Sequence, residues 1–226
     1  MQKRLVRKLD LERLLSKIEV HPSPRPDLEQ YTIPADVAAT MLRIAAYTND
    51  HIVGKEVLDL GCGTGRLALG AAFLGAKQVV GVDVDRIAVG KAVENSARTD
   101  LKESVDWVVA DIKAIRGDFD TVLQNPPFGV QKRGADRVFL EKALECGNIV
   151  YSLHVHPEKD ALSISELRAA GLLSVSAPSF MERFVEKCGG KIRVVYAMVM
   201  AVPCMFDFHT KKRHQFVVDL YVIEKR

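Results

Sequence analysis

The chain is short of cysteine, of net charge and of long apolar runs, and each shortage removes a class of protein. Its 226 residues hold four cysteines, Cys62, Cys146, Cys188 and Cys204, with no C-x-x-C pair among them. That pattern indicates neither a zinc ribbon nor a disulfide framework and leaves reduced, mostly buried thiols. No apolar stretch approaches the ~20 residues of a membrane helix, and the opening MQKRLVRKLD lacks the uncharged core of a signal peptide. A cytoplasmic protein is expected. Internal repeats and low-complexity tracts are missing as well. With 48% apolar and 27% charged residues the composition is that of a globular protein, and the length suits one α/β domain better than two.

A formal net charge of +3 is too small to argue for nucleic acid, so its distribution says more than its total. Lys3, Arg4, Arg7, Lys8, Arg13 and Lys17 face only Asp10 and Glu12 at the amino end, while Lys211, Lys212, Arg213, Lys225 and Arg226 face only Asp219 and Glu224 at the other. Both ends are basic around a mildly acidic body. Two solvated ends would read the same way.

Leu11, Leu14, Leu15 and Ile18 recur at helical spacing, so residues 3–18 read as an amphipathic helix with its bases turned outward. Three prolines in His21-Pro22-Ser23-Pro24-Arg25-Pro26 then make a stiff linker. A second helical pattern covers 34–47. Strands are expected at Glu56–Leu60, Gln78–Asp83, Val105–Ala110, Thr121–Gln124 and Ile149–Leu153, with helices near 65–74, 86–98 and 135–145 between them. Such alternation predicts an α/β fold with a parallel sheet. After a helix near 179–188, the strands Ile192–Val202 and Gln215–Ile223 are joined by a short basic loop and must pair antiparallel, which puts one reversed strand near the C-terminus. Residues 157–177 read as a helix plus a loop.

Val57-Leu58-Asp59-Leu60-Gly61-Cys62-Gly63-Thr64-Gly65 passes from a buried strand into a helix. Its glycines therefore sit at the carboxyl end of a strand, where open α/β sheets bind ligands and a bare backbone lets them come close. Asp59 beside the loop would repel a pyrophosphate but suit the ammonium of an amino acid. Asp83, at the end of the next strand, is placed for ribose hydroxyls, and Asp111, after the third, for an adenine edge. A nucleoside joined to a zwitterionic amino acid is S-adenosylmethionine. DLGCGTG, VDVD and VAD closely resemble the motifs of class I methyltransferases, which implies a Rossmann-like, mostly parallel sheet.

The fourth strand ends in Gln124-Asn125-Pro126-Pro127-Phe128-Gly129. Two prolines would end a strand in any protein. Beside a cofactor loop they suggest more. An exocyclic purine amine is a poor nucleophile because its lone pair is delocalised into the ring. The Asn125 side-chain oxygen and the Pro126 carbonyl could hold its two hydrogens, and Phe128 could stack on the base. Pro203-Cys204 looks like the nucleophile of cytosine C5 enzymes but lies far from this strand, so Cys204 reads as structural.

Leu28-Glu29-Gln30-Tyr31, DLGCGTG, NPPFG, Tyr151-Ser152-Leu153-His154 and Phe208-His209 with Lys211-Lys212 together resemble the methyltransferase-like-five family of rRNA N6-adenosine methyltransferases and its archaeal relatives. The resemblance runs along nearly the whole chain. It implies a cofactor pocket closed by Gln30, Tyr31 and Thr32, a small-subunit rRNA substrate, and a zinc-ribbon activator subunit of the Trm-one-one-two type on a sheet edge. An edge left by Val105–Ala110, with Trp107 beside it, is the expected site. His209, Lys211, Lys212 and Arg213 form a dense basic loop suited to RNA phosphates. His154 reads first as a hydrogen-bonded strand-end residue. A protein glutamine methyltransferase or a DNA adenine methyltransferase would share NPP-aromatic, although glutamine enzymes generally carry Tyr where this chain has Phe128. A non-catalytic scaffold would not need to keep Asp83 and Asn125.

Overall fold

The structure is a computed structural model and describes residues 5–129, 134–157, 163–203 and 213–226. Strands β1 (Glu56–Leu60), β2 (Gln78–Asp83), β3 (Asp106–Val109), β4 (Phe119–Gln124) and β5 (Gly147–Val155) are mutually parallel. They are followed by β6 (Leu173–Val175), β7 (Gly190–Pro203) and β8 (Arg213–Lys225), and all eight form one sheet in the order β3-β2-β1-β4-β5-β8-β7-β6. Chain order reverses between β1 and β4. Their carboxyl ends therefore diverge into a crevice, the topological switch point of this architecture.

Strand β8 is the reversed strand expected from the sequence, antiparallel to both β5 and β7. A second reversed strand, β6, pairs antiparallel with β7. It lies with helix α6 (Ile164–Ala170) in the stretch read as a helix plus a loop. Three residues are too few to show a period-two pattern, so this strand exists only through its pairing.

Helices cover both faces. On one, α1 (Lys8–Ser16), α2 (Ala35–Arg43) and α3 (Arg66–Phe73) pack Leu11, Leu15, Leu42 and Leu69 against Val57, Leu123, Tyr151 and Leu220. On the other, α5 (Ala135–Cys146) and α7 (Ser179–Lys187) set Leu140, Leu144, Met181 and Val185 against Leu58, Val122, Val150 and Ile223. Each such side chain contributes about 1.5–3 kcal/mol on burial. Helix α4 (Arg86–Arg98) contacts β2 and β3. The period-two strands thus face two cores, which explains the near-continuous apolar runs of β1 and β4.

Helix α1 begins at Lys8, and Leu11, Leu15 and Ile18 are buried as its stripe requires. The helix read at 34–47 is α2 prolonged by a π turn over Ile44–Thr48. Among the described residues no helix is long and apolar enough to cross a membrane.

Candidate active site

All three loop glycines hold positive φ, at 77°, 53° and 89° for Gly61, Gly63 and Gly65. Two of them are also pressed from behind. A Cβ on Gly61 would lie 2.8 Å from the Phe139 ring, and one on Gly65 would lie 2.5 Å from the indole of Trp107. Nothing lies within 4 Å of the corresponding position on Gly63. That glycine opens onto a cavity of about 450 Å³ at the switch point.

The carboxylate of Asp59 sits under the loop and is almost wholly buried. Gly65 is the N-cap of α3 and has no side chain to cap with, so Asp59 Oδ2 accepts the Ala68 amide instead, at 2.8 Å. The residue lines the same cavity, and its Oδ1 is buried without a partner among the described residues. Burial, with a smaller contribution from the Asp83 charge, pushes this carboxyl up to about 7. An ammonium group would meet a strong acceptor there. Asp83 also lines the cavity but is more occupied: its two oxygens accept the Gly63 amide at 2.8 Å and the Asp85 amide at 2.9 Å. Burial raises its carboxyl too, against those hydrogen bonds. Asp111 is exposed at the rim and accepts the Lys113 amide at 2.9 Å.

Over the cavity runs a strap, residues 18–34, whose anchors the sequence does not announce. Buried Asn95 of α4 grips the Glu19 peptide at both ends, N–H and C=O, each at 3.0 Å, and donates to the Thr64 carbonyl of the glycine loop at 3.0 Å. The Arg66 guanidinium donates to the carbonyls of Ile18 and Ile33, one at each end of the strap. Burial lowers that guanidinium to about 10, which still leaves it charged at neutral pH. Asp85 takes Gln30 Nε2 at 2.7 Å and His21 Nε2 at 3.2 Å on the same oxygen, while its other oxygen caps α4 through the Ile87 amide. Although burial works to raise it, these hydrogen bonds hold the Asp85 carboxyl below its ordinary value. Gln30, Tyr31 and Thr32 all line the cavity.

Asn125 reaches the cavity from the end of β4, and its Oδ1 is buried with no partner among the described residues. Pro127 lines the cavity and Pro126 is buried behind it. Phe128 stands half-buried between Tyr31, at 5.1 Å between ring centroids, and Phe216 of β8, at 5.8 Å. The strap closes on this segment again where Glu29 Oε2 accepts the Gly129 amide at 3.1 Å. His154 lies outside the cavity lining, hydrogen-bonded to Ser152. His209, Lys211 and Lys212 lie outside the described residues, and Arg213 is described only as backbone, the first residue of β8, paired with Pro203.

Trp107 tucks its ring from β3 over two glycines, Gly65 of the loop and Gly81 of β2, and its Nε1 is buried without a partner among the described residues. Outward of it the sheet edge shows Val108 and Val109 to solvent.

Residues 37–126, which carry the glycine loop, the acidic strand ends and Asn125, match the profile of the family described as ribosomal protein L11 methyltransferase (PrmA). Over far more of its length the chain is 33% identical to the rRNA N(6)-adenosine-methyltransferase Mettl5 of Drosophila melanogaster, with 95% of this chain and 94% of that one covered. The chain belongs to the METTL5 family of methyltransferases. An uncharacterized protein of Methanocaldococcus jannaschii is 40% identical over 98% of this chain and 95% of its own. A solved structure from Pyrococcus horikoshii, of a protein with a provisional RNA-methyltransferase name, superimposes with a TM-score of 0.82 at 36% identity, covering 98% of both chains. In METTL5 terms the match takes in the strap before the PrmA-like segment and the β6–β8 region after it, the two parts that the shorter profile leaves out.

Proposed function

We propose that this protein transfers a methyl group from S-adenosylmethionine to the exocyclic N6 of an adenosine in RNA, with small-subunit rRNA as its substrate. One observation carries the reading: Asp59 and Asn125 line the same cavity, and each keeps a buried side-chain oxygen, Oδ1, with no partner among the described residues. Left without partners, each would cost about 1–3 kcal/mol, so both are arranged for ligand groups that donate hydrogen bonds. Asp59 fits an ammonium and Asn125 an amine. Gly63 leaves open space where a nucleoside would meet the loop.

In this reading Asp59 holds the amino-acid end of the cofactor, with Gly61, Gly63 and Gly65 giving it access to the backbone. Asp83 takes the ribose, Asp111 the adenine edge, and Gln30, Tyr31 and Thr32 close over it. When bound, S-adenosylmethionine supplies an electrophilic methyl group on its sulfonium. The chain's own work is orientation. Asn125 Oδ1 and the Pro126 carbonyl accept the two amine hydrogens and turn the nitrogen lone pair out of conjugation. Pro127 fixes the turn, and Phe128, braced by Tyr31 and Phe216, sets the plane of the target base. Alignment of this kind can supply several kcal/mol without a covalent nucleophile.

Asn125→Ala tests the assignment. Turnover should be abolished while affinity for cofactor and RNA stays within about twofold, because the lost contact acts only at the reacting centre. Labelled cofactor offered with separate RNA, DNA and protein pools, followed by digestion, should put the label in N6-methyladenosine from RNA. Label in DNA or on a glutamine would replace the substrate assignment. His209, Lys211, Lys212 and Arg213 contribute RNA phosphate contacts, to be read as a shallower salt dependence when they are replaced. The exposed β3 edge supports docking of a zinc-ribbon activator subunit of the Trm-one-one-two type by strand addition, and the complex acts in the cytoplasm.

A further inference from the structure

Behind the catalytic tetrapeptide lies a line of polar side chains on the α5 face of the sheet. Gln124 Nε2 donates to Ser152 Oγ at 2.8 Å, Ser152 Oγ lies 2.8 Å from His154 Nε2, and His154 Nδ1 stands 3.6 Å from Asp136 Oδ2. Gln124 and Ser152 are fully buried and His154 nearly so, while Asp136 is half-buried. Serine, histidine and aspartate in this order resemble a hydrolytic triad. Here the serine is fully buried, lies outside the lining of the switch-point cavity and already accepts a hydrogen bond from Gln124, so it is not placed to meet a substrate there.

Ser152 Oγ accepts a hydrogen bond from Gln124 Nε2, and in the imidazole tautomer protonated on Nδ1 its hydroxyl donates to His154 Nε2 while Nδ1–H faces Asp136. At 3.6 Å that last contact is longer than a hydrogen bond. Its two ends are what matter. Gln124 is the residue before Asn125 and the register partner of Ser152. Asp136 lies in the first turn of α5, between Ala135 and Val138, which line the cavity.

The tetrapeptide needs such an anchor. Pro126 and Pro127 have no backbone N–H, so the chain just beyond Asn125 has no ladder donors to offer β5, and β4 ends at Gln124. Asn125 cannot hold itself by its oxygen, which has no partner among the described residues. We propose that Gln124, Ser152, His154 and Asp136 form a positioning relay that locks the end of β4 to the first turn of α5 and so fixes Asn125 in its working orientation. This rests on the methyltransferase reading of Asn125.

The relay predicts a specific kinetic split. Ser152→Ala removes one oxygen from a site that needs no other change, and kcat should fall by about tenfold or more, as a small misplacement of a reacting group does. The KM for RNA and the cofactor Kd should stay within about twofold and the melting temperature should fall little. Asp136→Ala should lose rate in the same manner, and Asp136→Asn, which keeps an acceptor for Nδ1–H, should recover most of it. A parent-like kcat in Ser152→Ala overturns the relay, and so does a loss of rate matched by equal losses of affinity. Should Ser152→Ala fail to fold, the Asp136 pair decides, since that residue is half-exposed. Asn125→Ala run alongside separates the two ideas: full activity there removes the catalytic reading of Asn125 on which the relay rests, whereas an inactive Asn125→Ala with an active Ser152→Ala removes only the relay.

Discussion

Asp59 does two jobs with two oxygens. One caps α3 in place of the side chain Gly65 lacks, and the other is buried without a partner among the described residues. Because burial raises this carboxyl to about 7, the free protein holds a proton there below that pH. An ammonium ligand favours the ionised form. Cofactor affinity should therefore be fully present above about pH 7 and fall as pH drops through it, approaching tenfold per unit on the acid side. Calorimetric titrations at pH 5.5 and pH 8 check this, and equal Kd values at both would remove the ammonium assignment. Asp59 is legible in sequence because an acid next to a glycine loop is chemically odd for a phosphate site. Its capping role was not legible, since that depends on which oxygen turns toward the Ala68 amide.

Among the elements, the strap is where sequence reading falls shortest. Gln30, Tyr31 and Thr32 were reached only through a family resemblance. The side chains that seat them, His21, Arg66, Asp85 and Asn95, were not singled out at all. The reason is distance along the chain: Asn95 holds the Glu19 peptide from 76 residues away, and Gln30 meets Asp85 across 55. No periodicity encodes a contact of that kind. β1, β2 and β4 were legible because their apolar runs and terminal acids are local signals, and β6 was missed because three residues carry none. Asn95→Ala should release the strap by leaving the Glu19 amide and two carbonyls without partners, at a cost of about 1–3 kcal/mol each where they remain buried. Cofactor affinity should drop about tenfold or more, and a glutamate-specific protease should cut sooner at exposed Glu19, the residue that Asn95 holds. Unchanged cleavage and unchanged affinity would show that the strap is held without Asn95.

Taken as a whole, the molecule is a sheet with one edge closed by short β6 and the other, β3, left bare with Val108 and Val109 in solvent. An edge of this kind invites another strand. If the proposed zinc-ribbon subunit adds a strand here, replacing Val108 and Val109 with lysine should abolish its co-purification on size exclusion while leaving cofactor affinity near the parent value. Retention of the complex in that variant would move the docking site elsewhere. Trp107 joins this edge to the glycine loop, and it is the chain's single tryptophan. The protein therefore carries its own optical probe: one fluorophore, with no background from another indole, stands between the cofactor loop and the open edge. Ligand entry beside Gly65 and a strand added at the edge would both alter that ring's surroundings, so a label-free emission titration can ask in a single cuvette whether either event is felt by the other.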